Sequence, residues 1–146
     1  MRLLILALVL ALSGCGPDVA AWVGTYKGSG TINAGRQPEP LSGTLAVTAD
    51  GRFTLTSDAV APDNRVWTCA LTASMATAAQ ATFAVPTTCP LGVTPTDNCT
   101  HTVTINMATL NKSGNDVDGT ISGRVSSACT STTANDWLLS FGGTKQ

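Results

Sequence analysis

His101 is the only histidine in the chain and Glu39 the only glutamate. A hydrolytic triad places an imidazole between a nucleophile and a carboxylate. His101 with a hydroxyl side chain and Asp118 would be the set to examine. No Gly-x-Ser-x-Gly element accompanies them. Strand alternation also turns His101 toward an apolar face, where a satisfied structural histidine is expected. Glycoside cleavage needs two facing carboxyl groups, and Glu39 stands alone between Pro38 and Pro40. Asn115-Asp116-Val117-Asp118-Gly119 has the composition of a calcium loop. With Gly119 at the fixed glycine position, however, the first and last ligands would be Gly114 and Val125, and neither carries a carboxylate. There is no phosphate-binding glycine loop. A single histidine leaves no multi-histidine metal site. A formal net charge of -1 gives no electrostatic case for nucleic acid. The expectation is a protein that is not an enzyme and takes no cofactor or metal.

The N-terminus reads as an address. Leu3 to Leu12 is unbroken apolar sequence preceded by Arg2. It falls well short of the ~20 residues of a membrane-crossing helix and matches a secretory leader. Leu12-Ser13-Gly14-Cys15 follows, and it resembles the lipobox of bacterial lipoproteins. The resemblance implies a leader over 1–14, a diacylglyceryl group on Cys15 and an acylated, membrane-held tether over 15–21. Gly16 stands where an aspartate would favour inner-membrane retention. Outer-membrane localisation, on the periplasmic or the surface face, is therefore implied.

With Cys15 assigned to lipid, Cys69, Cys89, Cys99 and Cys129 remain. An even number in an exported chain implies two bridges with three connectivities. Antiparallel partners share a midpoint. That of Cys69 and Cys89 is Ala79, between two apolar runs. That of Cys99 and Cys129 is Gly114, inside the turn cluster Asn111 to Asp116. Parity agrees with these pairs. Val103 would face Val125, Ile105 would face Gly123 and Met107 would face Ile121. In the first hairpin Trp67, Cys69 and Leu71 share parity with Phe83, Val85 and Cys89. Cys69–Cys89 and Cys99–Cys129 are preferred, with a crossed pattern still open. Zinc is disfavoured, because no Cys-x-x-Cys occurs.

The elements that must position these residues are strands. Trp22, Gly24, Tyr26, Gly28, Gly30 and Ile32 alternate with Thr25, Lys27, Ser29 and Thr31. A three-residue Ala49-Asp50-Gly51 loop pairs Val47 with Phe53 and Leu45 with Leu55, whereas a two-residue loop mismatches the faces. Further strands are expected over Val66–Ala73, Ala81–Thr87, Thr100–Leu110, Val117–Ser126 and Asp136–Gly143. Gln37 to Pro40 and Cys89 to Asn98 are expected as loops. No sustained helical period occurs after the leader. The fold class is all-β: an antiparallel meander of about eight strands over 22–146, as an up-and-down barrel or a sandwich, the barrel preferred.

Ala21-Trp22-Val23-Gly24-Thr25-Tyr26 and the closing Leu138-Leu139-Ser140-Phe141-Gly142-Gly143-Thr144 resemble the calycin-type small barrels, the lipocalins and avidins. The chain is also similar to small disulfide-bearing lipoproteins of Gram-negative bacteria. A lipocalin-like barrel implies a small apolar ligand, with Trp22, Tyr26, Trp67, Phe83, Trp137 and Phe141 lining its site. The competing expectation is that these aromatics only fill the core. An envelope protein is the other partner expected. A periplasmic protease inhibitor, presenting Gln37–Leu41 or Pro90–Asp97, is the alternative function.

Overall fold

The computed structural model describes residues 17–33, 38–58, 66–93, 99–129 and 135–146. The stretch expected to be a leader and lipobox, with Cys15, lies outside the described residues. Nine strands form one antiparallel sheet among the described residues. They are β1 (Gly24–Asn33), β2 (Glu39–Val47), β3 (Arg52–Ser57), β4 (Thr68–Ala76), β5 (Gln80–Phe83), β6 (Thr87–Val93), β7 (Thr100–Ser113), β8 (Asp116–Ser127) and β9 (Asn135–Lys145). Successive strands are neighbours except β5 and β6, β1 pairs with β9, and β5 pairs with both β4 and β7. The sheet therefore closes into a barrel.

The ninth strand corrects the expected count without adding a stave. Gln80 to Thr82 lie opposite Asn111 to Thr109 of β7, and Thr87 to Val93 lie opposite Ile105 to Thr100 of the same strand. β5 and β6 are thus one stave in two pieces, giving eight staves around the ring. The break falls at Ala84-Val85-Pro86, where Pro86 has no N–H to donate to a ladder. Val85, expected on the inner face, is exposed there. Part of the stretch expected as a loop from Cys89 is therefore strand. Pro90 is tolerated because β6 is hydrogen-bonded only to β7. Glu39 and Pro40, also expected in a loop, extend β2 along β1 only, since pairing with β3 starts at Gly43.

Most of the expected registers hold. Val47 faces Phe53 and Leu45 faces Leu55 across a turn in which Gly51 takes φ 82°. Val103 faces Val125 and Ile105 faces Gly123. Beyond Ile105 a bulge at Asn106 shifts the ladder, so Met107 faces Ser122 and Ala108 faces Ile121. Met107 is consequently exposed, and Ala108 and Leu110 point inward in its place. The bridges are Cys69–Cys89 and Cys99–Cys129. The first joins β4 to β6 rather than closing the β4–β5 hairpin. It spans a seam where these two strands have no ladder of their own.

One core cluster runs through the barrel. It is built from the inward residues of each alternation: Leu41, Leu45 and Val47 on β2, Phe53 and Leu55 on β3, Cys69 and Leu71 on β4. Two glycines of β1 allow the close approach of β9. A Cβ at Gly28 would lie 1.9 Å from the Gly142 carbonyl oxygen, and one at Gly30 would lie 1.8 Å from that of Ser140. Any side chain there would push the first and last staves apart.

Candidate ligand-binding end of the barrel

The two ends of the barrel differ. At one end the connections are short: Thr48–Gly51 between β2 and β3, Thr77–Ala79 between β4 and β5, and Gly114–Asn115 between β7 and β8. At the other end lie the connections β1–β2, β3–β4, β6–β7 and β8–β9, which are longer in sequence. Binding barrels commonly place ligands at such a mouth, and a barrel of this size has room for side chains or for one small ligand.

The short-turn end is closed. The segment 17–23 crosses beneath it, with Asp18 N–H donating to the Ala76 carbonyl at 3.1 Å. Val19, which falls in the stretch expected as a tether, is buried in the core cluster. Trp22 is fully buried, and its indole N–H donates to the Thr77 carbonyl at 2.6 Å. The Tyr26 hydroxyl donates to the Trp22 carbonyl at 2.8 Å. Burial of this phenol raises its pKa above the ordinary tyrosine value. Trp22 meets Phe53 edge-on at 5.5 Å, and Phe53 meets Phe83 edge-on at 4.9 Å. Each polar tip has a partner and each ring has a neighbour, so this end is packed core.

The long-loop end is different. Trp67, just before β4, and Trp137, near the start of β9, meet edge-on with centroids 6.0 Å apart. Both are buried, at 8% and 2% exposure. Neither indole N–H has a hydrogen-bond partner among the described residues. Ser57, the buried polar side chain of the described interior, lies at the same end. Its hydroxyl oxygen accepts the Trp67 backbone N–H at 3.0 Å. Alternation along β3 puts Ser57 on the inner face, but a serine in a Thr- and Ser-rich chain gives no signal of its own in the sequence.

The six aromatics expected along a site therefore do not form one group. Trp22, Tyr26 and Phe83 belong with Phe53 to the closed end, and Trp67 and Trp137 form a separate pair. Phe141, buried on β9 opposite Gly30 of β1 and Gly119 of β8, lies between them. The candidate catalytic residues are dispersed. Half-buried His101 starts β7 and already has an interaction, exposed Glu39 starts β2, and exposed Asp118 lies near the opposite end on β8. Among the described residues, no three His, Cys, Asp or Glu side chains form a metal-binding group. The outer side of β1, β9, β8 and β7 carries open depressions, one flanked by Arg124 and Asp136, an exposed ion pair at 3.5 Å. Of the loops expected to enter a protease cleft, Glu39–Leu41 and Pro90–Val93 are strand, and Gln37 and Thr94–Asp97 lie outside the described residues.

No protein-family model and no curated protein matches the chain. Among solved structures, a redesigned β barrel is similar to it, with 13% identity, 92% of this chain and 99% of that chain covered, and a TM-score of 0.47. A likeness at that level names no function.

Proposed function

We propose that the chain is a lipid-anchored, non-enzymatic binding protein whose barrel takes a small, largely apolar ligand at its long-loop end. The observation that carries this proposal is the contrast between the two ends: one sealed and fully hydrogen-bonded, the other holding two buried, unpartnered donors. Buried polar groups are normally paired, and an exception calls for a partner. An apolar interior with a few placed polar groups is the usual make-up of a small-molecule site.

The anchor is consistent with this geometry. Cys15 precedes Pro17 by two residues, a reach of roughly 7 Å, and Pro17 lies at the sealed end. An acyl group on Cys15 would hold that end against the membrane and turn the long-loop end away from it. Val23 and Met75, both exposed, sit at the rim of the sealed end and would meet the lipid interface. The outer membrane is the compartment this proposal assigns, because Gly16 follows Cys15. An envelope protein remains the alternative partner, for which the polar outer face of β1, β9, β8 and β7 is the available surface.

Metabolic labelling with a fatty acid, followed by membrane fractionation, tests the anchor. The wild-type chain should carry label and sediment with outer membrane, and Cys15→Ser should do neither. Label-free wild type recovered in the soluble fraction would end the lipoprotein assignment. Solvent extraction of the purified barrel tests the ligand, with a stoichiometric small apolar molecule as the expected result.

A further inference from the structure

We infer that the outer wall of β7, β8 and β9 is an interface between two copies of this chain, related by a twofold axis along β8. Three exposed apolar side chains lie at one level of that wall. Met107 of β7 faces Ser122 of β8, and Ser122 faces Leu138 of β9. Val85 falls at the same level in the next stave, between Thr82, opposite Thr109, and Thr87, opposite Ile105. Exposure is 57% for Met107, 48% for Leu138 and 41% for Val85. Apolar residues exposed singly need no explanation, whereas contiguous ones mark contact surfaces. Two of these three face outward only because the backbone breaks its alternation. The bulge at Asn106 turns Met107 out, and the break between β5 and β6 turns Val85 out. Irregularities in neighbouring staves thus set apolar groups side by side. The adjoining level of the same wall is Thr109, Thr120 and Ser140.

The occupant follows from the arrangement. Half-buried Ser122 lies between Met107 and Leu138, in an open depression. Neighbouring strands are about 4.8 Å apart, so Met107 and Leu138 stand roughly 10 Å apart on either side of it. A twofold axis over Ser122 sets each Met107 against the second copy's Leu138. Toward the long-loop end the charged level is Arg124, opposite Asp136. About the same axis each Arg124 lies between its own Asp136, 3.5 Å away, and the second copy's. Charge alternates in sign across the contact, so the patch is complementary to itself, as a twofold interface requires. A lipid surface fits less well, because these ions would lose water without gaining partners. An axis along β8 also keeps both sealed ends on one side of the pair. That geometry is compatible with two chains anchored in one membrane, but the inference rests on neither the anchor nor a ligand.

Sedimentation equilibrium of the exported Cys15→Ser chain tests the interface. The expected result is a reversible monomer–dimer equilibrium. Met107→Ser removes two apolar contacts per dimer and should weaken association about a hundredfold. Val23→Ser, an exposed apolar site at the sealed end, should leave it unchanged. Arg124→Asp and Asp136→Arg should each weaken association, and Arg124→Asp/Asp136→Arg should restore it, because the exchange returns the alternation of charge. All the substituted side chains are exposed, so the barrel itself is spared. A monomer at every concentration would overturn the interface and leave this wall to a different partner. A dimer that Met107→Ser leaves intact, or a charge exchange that fails to restore what the single changes remove, would equally overturn it. Each of these results leaves the binding proposal for the barrel interior standing.

Discussion

Cys69→Ala/Cys89→Ala should destabilise the barrel more than Cys99→Ala/Cys129→Ala, although chain entropy predicts the opposite order. The bridges join residues 20 and 30 apart in sequence. Loop-closure entropy gives about 3.3 kcal/mol for the shorter ring and about 3.6 kcal/mol for the longer. Packing reverses this. Cys69 and Cys89 are each 2% exposed, whereas of the other pair Cys99 is buried and Cys129 exposed. Each buried sulfur removed costs on the order of 1 kcal/mol in lost contacts and residual cavity. The expected totals are then about 5.3 kcal/mol against about 4.6 kcal/mol. The first bridge also spans the seam between β4 and β6, which has no ladder of its own, so its loss should widen the gap. Urea denaturation of both double variants measures the difference as a shift in midpoint at constant slope. An equal or larger loss in the Cys99/Cys129 variant would show that the seam is not held by its buried disulfide.

Gly30→Ala should cost about 3 kcal/mol by overpacking, because its Cβ would stand 1.8 Å from the Ser140 carbonyl oxygen. Gly142→Ala, whose Cβ would find its nearest atom at 3.8 Å, should leave the same thermal midpoint nearly unchanged. Tyr26 has its phenol pKa raised by burial. Its contribution to stability is whole below pH ~10 and is lost as pH rises through the higher folded value. The alkaline fall in thermal midpoint should be smaller in Tyr26→Phe. Asp50 has its pKa lowered, chiefly by the Thr48 hydroxyl, which donates to the carboxylate. That stability is present above the ordinary carboxylate pKa and lost as pH falls through the lower folded value. Acid titration of Asp50→Asn should show a shallower loss below pH ~4.

Much of the fold was legible because strand alternation has a period of two and each buried face fixes its register. Gly51 marks the β2–β3 turn, and the shared midpoint of Cys99 and Cys129 falls in the β7–β8 turn and gives their bridge. Cys69 and Cys89 are bonded as expected, but across β4 and β6 rather than as partners in one hairpin, so their midpoint is not the physical reason. What escaped were single-residue irregularities. Asn106 adds one residue to β7 and reverses the parity of everything after it, sending Met107 out and Ala108 in. Pro86 and its neighbours split one stave, so Val85 leaves the inner face and β6 appears where a loop was expected. Neither has a mark in composition, because Asn and Pro serve equally well in turns. The candidate site was legible only as a set of aromatics. Their division depends on hydrogen bonding: Trp22 reaches a turn carbonyl and Trp67 and Trp137 do not. Residue type does not distinguish one indole from another, and only the ends of the strands carrying them do.

Native mass spectrometry of the exported Cys15→Ser chain tests the central claim most directly. The expected spectrum shows a chain lighter by two hydrogens for each of its two bridges and carrying one small apolar molecule that leaves on denaturation. A spectrum of bridged but ligand-free protein, unchanged after exposure to a total lipid extract of the envelope, would contradict a binding barrel.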